Sequence, residues 1–127
     1  MRLKGFRVLL VEDAPDIREV FGVLLRAEGA EVTATGSGRR AIEEAAWRPF
    51  DVVLTDLGLP DLHGEVVIRE ILARSQPRPR VVAVTGYGDP YPNRARAAGA
   101  DAVLLKPAEW DDIVDAVVAT PATSAAA

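Results

Sequence analysis

The chain has 127 residues, a formal net charge of −4 and no cysteine. That length suits one domain able to bury about two-thirds of its unfolded surface, and the lack of cysteine excludes disulfides, thiolate metal sites and a cysteine nucleophile. The acidic balance gives no cationic field for nucleic acid by this chain alone, and no apolar run nears the ~20 residues of a membrane span. "MRLKGF" lacks the apolar core of a secretion signal, so a cytoplasmic protein acting at no membrane is expected. The first apolar run, "RVLLV" (7–11), reads as a strand. Behind it Ile17, Val20, Phe21, Leu24 and Leu25 fall at i, i+3, i+4, i+7 and i+8, one helical stripe closed by Gly29. "EVTAT" (31–35) is the second strand, and residues 38–47 form a second helix ended by Pro49. "DVVLT" (51–55) leads to a helix striped by Val67, Ile68, Ile71 and Leu72. "RVVAVT" (80–85) is the fourth strand; beyond it Pro90 and Pro92 forbid a normal helix until about Asn93. "DAVLL" (101–105) precedes a last helix striped by Ile113, Val114, Val117 and Val118, whose "EWDD" lead-in suits a helix N-terminus. Residues 121–127 show no periodicity and read as a frayed tail or linker stub after a domain spanning 1–120.

Near-continuous apolar strands point to a parallel sheet covered on both faces. Five strand–helix units predict an α/β, doubly wound (βα)₅ fold. In open sheets of this kind the ligand site lies beyond the carboxyl ends of the strands. The residues there are Glu12 and Asp13 after the first run, Asp56 after the third, Thr85 ending the fourth and Lys106 after the fifth. Should the first and third strands be neighbours, three carboxylates converge, and they cannot all stay ionised without a cation. Mg²⁺ fits: it takes one or two carboxylates, keeps several waters and leaves a position for a phosphate oxygen. Lys106 adds a mobile point charge, and Thr85 can donate to an anionic oxygen. This is an inventory for moving a phosphoryl group, with Asp56 as candidate acceptor. Singly, each residue has a bland reading: a turn aspartate, a solvated lysine, an ordinary β threonine. Their joint placement is what chance does not readily produce.

From about residue 6 to 119 the chain resembles the receiver domain of two-component response regulators. The resemblance is carried by "VLLVEDAPD", "DVVLTDLGLPDLHG", "VVAVTGYG" and "AGADAVLLKP", in that order and spacing. It implies a flavodoxin-like five-stranded parallel sheet of order 2-1-3-4-5. It also implies a Mg²⁺ site in which Asp13 and Asp56 are direct ligands, Glu12 acts through water, and the backbone carbonyl of Gly58 assists. Asp56 would then take a phosphoryl group from a phosphohistidine on a histidine kinase or phosphotransfer protein. Thr85 and Lys106 would bind the phosphoryl oxygens. The Lys106–Pro107 bond would be cis, as is common in the family, and Gly86 would be small where the phosphoryl group arrives. Such a domain is no enzyme in the ordinary sense, although it promotes its own phosphorylation and dephosphorylation. It works as a monomer or weak dimer. "RLKGFRVLLVED" and "VTGYGDP" are similar to stretches in receivers attached to hybrid histidine kinases; a free-standing regulator is the alternative.

Other readings compete. "TGSGRRA" (Thr35 to Ala41) matches a dinucleotide-binding G-x-G-x-x-A, follows a strand and has Asp56 some twenty residues on. It would leave Glu12, Asp13, Thr85 and Lys106 without work, and a glycine-rich turn capping a helix is the plainer account. A haloacid-dehalogenase-type site needs a second acid where Gly58 stands. His63, the one histidine, reads as a solvated loop residue, so any phosphohistidine donor is another protein or domain. Trp47 and Trp110 read as helix-face packing. Two departures from the family bear on switching. Val103 stands where many receivers carry Tyr or Phe, and the segment from Thr85 to Lys106 is one residue short and proline-stiffened. With Thr85 as sensor and Val103 too small to refill a vacated space, the change is expected in residues 86–92, with Tyr87 or Tyr91 moving. The alternative function is a phosphorylation-independent interaction module that kept the fold.

Overall fold

The computed structural model describes residues 1–88 and 90–119; the tail expected at 121–127 and the domain limit at 120 lie outside them. Strands and helices alternate: β1 (Arg7–Val11), α1 (Pro15–Ala27), β2 (Glu31–Thr35), α2 (Gly38–Trp47), β3 (Val52–Asp56), α3 (Gly64–Arg74), β4 (Arg80–Thr85), α4 (Tyr91–Ala98), β5 (Ala102–Leu105) and α5 (Trp110–Val118). The strands form one parallel sheet in the order β2-β1-β3-β4-β5, as expected.

Alternate residues of each strand feed two cores. Leu9, Val11, Val53, Val81 and Ala83 pack under α2, α3 and α4 against Ala41, Val67, Ile68, Ile71 and Ala95. Val8, Leu10, Val52, Leu54, Val82 and Val84 pack under α1 and α5 against Leu25, Ile113, Val114 and Val117. Two covered faces require apolar residues at successive positions, which is why these runs do not alternate with polar ones. Gly29 stops α1 at a φ of 97°, where a β-carbon would also meet the Lys4 Cα at 2.9 Å.

The structure departs from the sequence reading at several points. Helix α4 begins at Tyr91 rather than near Asn93, because Pro92 occupies the first turn, where an amide N–H has no intrahelical acceptor. The Pro90 carbonyl accepts the Arg94 N–H at 3.0 Å and starts the helix. Asp51 and Asp101 precede β3 and β5 instead of opening them. Their carboxylates accept the Arg7 and Val81 N–H groups of neighbouring strands, each at 2.7 Å. On α1 the predicted stripe is wider than the surface it covers. Leu25 is buried, but Ile17 and Val20 are 41% and 54% exposed, alongside Val23 at 57%. Trp110 packs on Phe21 with ring centroids 5.8 Å apart. Trp47 does not pack: it is 82% exposed at the end of α2.

Candidate functional site

Parallel register builds the site. Val11 pairs with Thr55, so Glu12 and Asp56 leave the sheet side by side. Asp56 pairs with Val84 and Thr85 with Leu105, so Thr85 and then Lys106 follow at the same edge. One carboxylate oxygen each from Glu12, Asp13 and Asp56 lies within 4.8 Å of the others. The Lys106 ammonium donates to Asp56 Oδ2 at 2.7 Å and stands 3.8 Å from Glu12 Oε1. The Gly58 N–H donates to Asp56 Oδ1 at 2.9 Å. The Lys106–Pro107 peptide is cis.

Burial and charge divide the two adjoining carboxylates. Glu12 is 3% exposed; burial, then the neighbouring Asp56 charge, raises its pKa to about 7. Burial also works against an ionised Asp56, but the Gly58 N–H and the Lys106 ammonium outweigh it and hold its pKa below the ordinary value. Burial lowers the Lys106 pKa, and the bond to Asp56 more than reverses this, so the ammonium stays charged. Near neutral pH Glu12 is therefore the member of the pair that takes up a proton, and Asp56 the one that stays ionised. The edge carries more negative charge than one lysine neutralises. That excess, on hard oxygen donors, fits a small divalent cation.

The other expected residues take definite places. Thr85 is buried, its carbonyl accepts the Lys106 N–H at 2.8 Å, and its hydroxyl accepts the Tyr87 N–H at 3.1 Å. A methyl group at Gly86 would meet only the Lys106 Cδ at 4.0 Å, so the approach to Asp56 is open there. Val103 is not in the site; it packs partly buried against the core under α2, α3 and α4. His63 is exposed and caps α3 through its backbone alone.

Two residues the sequence reading passed over shape the surroundings. Arg18 of α1 reaches back to donate to the Glu12 carbonyl at 2.9 Å, and a β-carbon on Gly36 would stand 2.5 Å from its guanidinium. Asp61, in the loop after β3, accepts the Gly38 N–H at 2.9 Å, the Arg39 N–H at 3.0 Å and the Ser37 hydroxyl at 3.0 Å. The Arg39 and Gly38 amides, with the Ser37 hydroxyl, lower its pKa to about 2. The α2 N-terminus, where a dinucleotide phosphate would sit, is thus occupied by the chain's own carboxylate. The glycines of "TGSGRRA" make room for Arg18 and Asp61.

A family model described as the response regulator receiver domain matches residues 8–118. The transcriptional activator protein PfeR of Pseudomonas aeruginosa is 38% identical over 116 residues, which cover 88% of this chain and 37% of that protein. The cell cycle response regulator CtrA of Brucella ovis is 30% identical over 108 residues, covering 85% of this chain and 47% of CtrA. The chain therefore spans less than half the length of these curated relatives. Among solved structures, the receiver domain of sensor histidine kinase PA1611 from Pseudomonas aeruginosa has a magnesium ion coordinated in its active site cleft. It is 30% identical with a TM-score of 0.80, over 91% of this chain and 99% of that one. A response regulator receiver domain from Clostridium thermocellum is also 30% identical, with a TM-score of 0.81, over 88% and 90% of the two chains.

Proposed function

Since the chain belongs to the response regulator receiver family, we propose that Asp56 accepts a phosphoryl group from a phosphohistidine of a partner kinase or phosphotransfer protein. The observation that carries this is the ionised Asp56 carboxylate, held by the Lys106 ammonium at 2.7 Å amid a cluster of three acids. In the step, Asp56 Oδ attacks phosphorus, the P–N bond breaks, and the departing imidazole nitrogen takes up a proton. The product is an acyl phosphate, which water later hydrolyses. Asp13, Asp56, the Gly58 carbonyl and, through water, Glu12 would hold Mg²⁺, whose contribution when bound is to neutralise charge on the phosphoryl oxygens. Lys106 exchanges its bond to Asp56 for one to a phosphoryl oxygen, and the Thr85 hydroxyl supplies a second donor. Mobile positive charge beside the acceptor is what such a transfer needs, since the phosphoryl group arrives with charge of its own.

A protein donor is supported by the exposed apolar stripe Ile17, Val20 and Val23, on the helix that begins two residues after Asp13. Apolar side chains grouped on a helix face suit another protein better than a small metabolite. Among the described residues no helix is long and apolar enough to cross a membrane, and we place the activity in the cytoplasm, where kinase phosphohistidines arise. The test is intact mass after incubation with acetyl phosphate, with and without Mg²⁺. One added phosphoryl group, requiring Mg²⁺ and absent in Asp56→Asn, is the expected result. An unmodified wild type that still engages a partner would favour the phosphorylation-independent module, and undiminished labelling of Asp56→Asn would move the acceptor elsewhere.

A further inference from the structure

Asp61 does two things at once. It closes the N-terminus of α2 from outside, taking two backbone amides and the Ser37 hydroxyl, and it fastens the segment between β3 and α3 to that helix. The segment is also closed on itself, because the Gly64 N–H donates to the Leu57 carbonyl at 3.3 Å. A β-carbon on Gly64 would lie 2.6 Å from the Leu57 Cα, so the two ends of the loop touch. Gly58 lies inside this closed loop, and its amide donates to Asp56 Oδ1 beside the Lys106 ammonium on Oδ2. A β-carbon on Gly38 would meet Asp61 Oδ1 at 3.2 Å and Val67 Cγ2 at 2.7 Å, so the helix end and the loop are fitted to each other.

We infer that Asp61 is a positioning residue for the metal and phosphoryl site: by anchoring residues 57–63 to α2, it fixes Gly58 against Asp56 and in the attitude the cation requires. The part concerning the cation rests on the proposed function; the part concerning Gly58 and Asp56 does not. A helix cap alone has no reason to reach across more than twenty residues, since Ser37 already caps the helix through the Arg40 N–H at 3.1 Å. What the long-range bond adds is a fixed loop. Partners that orient the groups around a cation typically govern its affinity by 10–100-fold.

The experiment compares wild type, Asp61→Ala and Gly38→Ala, the last keeping the carboxylate but crowding the seam through Val67 and, less severely, Asp61. The Gly58 amide is followed by NMR without metal, Mg²⁺ affinity by calorimetry, and labelling by acetyl phosphate across Mg²⁺ concentrations. The expected result is a shifted, faster-exchanging Gly58 amide in Asp61→Ala and Gly38→Ala, with Mg²⁺ bound roughly tenfold more weakly. Labelling at saturating Mg²⁺ should return to within about twofold of wild type, because Asp61 touches no reacting atom. Loosened Gly38 and Arg39 amides beside an unchanged Gly58 amide and unchanged Mg²⁺ affinity would overturn the inference and leave Asp61 a helix cap. A wild type that binds no Mg²⁺ would overturn the proposed function instead, with the Gly58 amide still deciding the role of Asp61.

Discussion

Acids occur at both ends of this sheet, and their partners separate them by role. At the amino edge Asp51 is bonded to Arg7 at 3.2 Å and Asp101 to Arg78 at 2.9 Å, and each also accepts a strand amide. At the carboxyl edge Glu12, Asp13 and Asp56 share one lysine. Glu12 bears the consequence. Its pKa is raised from an ordinary 4.5 to about 7, so between those values the folded chain holds a proton that the unfolded chain releases. Stability without metal therefore falls as pH rises through that window, and the loss is complete above about 7. Glu12→Gln, which cannot ionise, should be more stable than wild type by on the order of 3 kcal/mol at pH 8. The two should converge toward pH 4.5. Denaturant unfolding at both pH values in a metal chelator checks this, and a difference independent of pH would refute it. Glu12, Asp13, Asp56 and Lys106 were legible in the sequence because parallel strands send the residues after each run to one edge. The partners of Asp61 were not: the carboxylate and its donors are 22 to 24 residues apart, and only the fold shows that they meet.

At the scale of elements, β4, the loop after it and α4 form a connected path out of the site. The Thr85 hydroxyl accepts the Tyr87 amide, so a threonine turning toward a phosphoryl oxygen must release or drag Tyr87. The Tyr87 ring packs against Tyr91 at a tilt of 49°, 5.5 Å between centroids, and the Arg94 guanidinium lies 5.8 Å over the Tyr91 ring. The other flank of Tyr87 borders Gly58, whose β-carbon position is 3.9 Å from Tyr87 Cε2. Two exposed rings thus offer a route where the buried aromatic of many receivers is replaced by Val103, whose branched side chain has few rotamers to exchange. A beryllium fluoride mimic of the phosphoryl group should shift the amides of residues 86–88 and 91–94 most. Tyr87→Ala should at least halve the shifts at Tyr91 and Arg94 while leaving that at Gly58. Large shifts through Val103 and α5 with quiet 86–88 amides would show a different route. The sequence located this region but misjudged it. Counting prolines as breakers hid the start of α4, since a proline in the first turn leaves no intrahelical bond unmade. Apolar periodicity in turn overstated burial on α1, because the period reports which residues share a face, not how much of that face the sheet covers.

The whole molecule turns site occupancy into stability. Both hydrophobic layers pack on one sheet, and every site residue but Asp13 and Gly58 belongs to β3, β4 or the residues that directly follow strands of that sheet. A cation bound at the carboxyl edge is therefore linked to unfolding of the entire domain, not to a separate lobe. With binding confined to the folded state, Mg²⁺ at ten times its dissociation constant adds about 1.4 kcal/mol, and each further decade adds about as much again. In a domain of this size that amounts to a melting temperature about 4 °C higher per kcal/mol. Asp13→Ala separates the two terms that wild type superimposes. It deletes one of three crowded charges, so stability in chelator should equal or exceed that of wild type, and it deletes a ligand, so the rise with Mg²⁺ should disappear. Melting curves at stepped Mg²⁺ for both proteins decide the matter. A parallel rise in wild type and Asp13→Ala would mean that the cation acts on the general surface of an acidic chain. A rise in wild type alone would tie it to the carboxyl edge, where the Asp56 charge that, after burial, raises the Glu12 pKa is one the cation neutralises on binding.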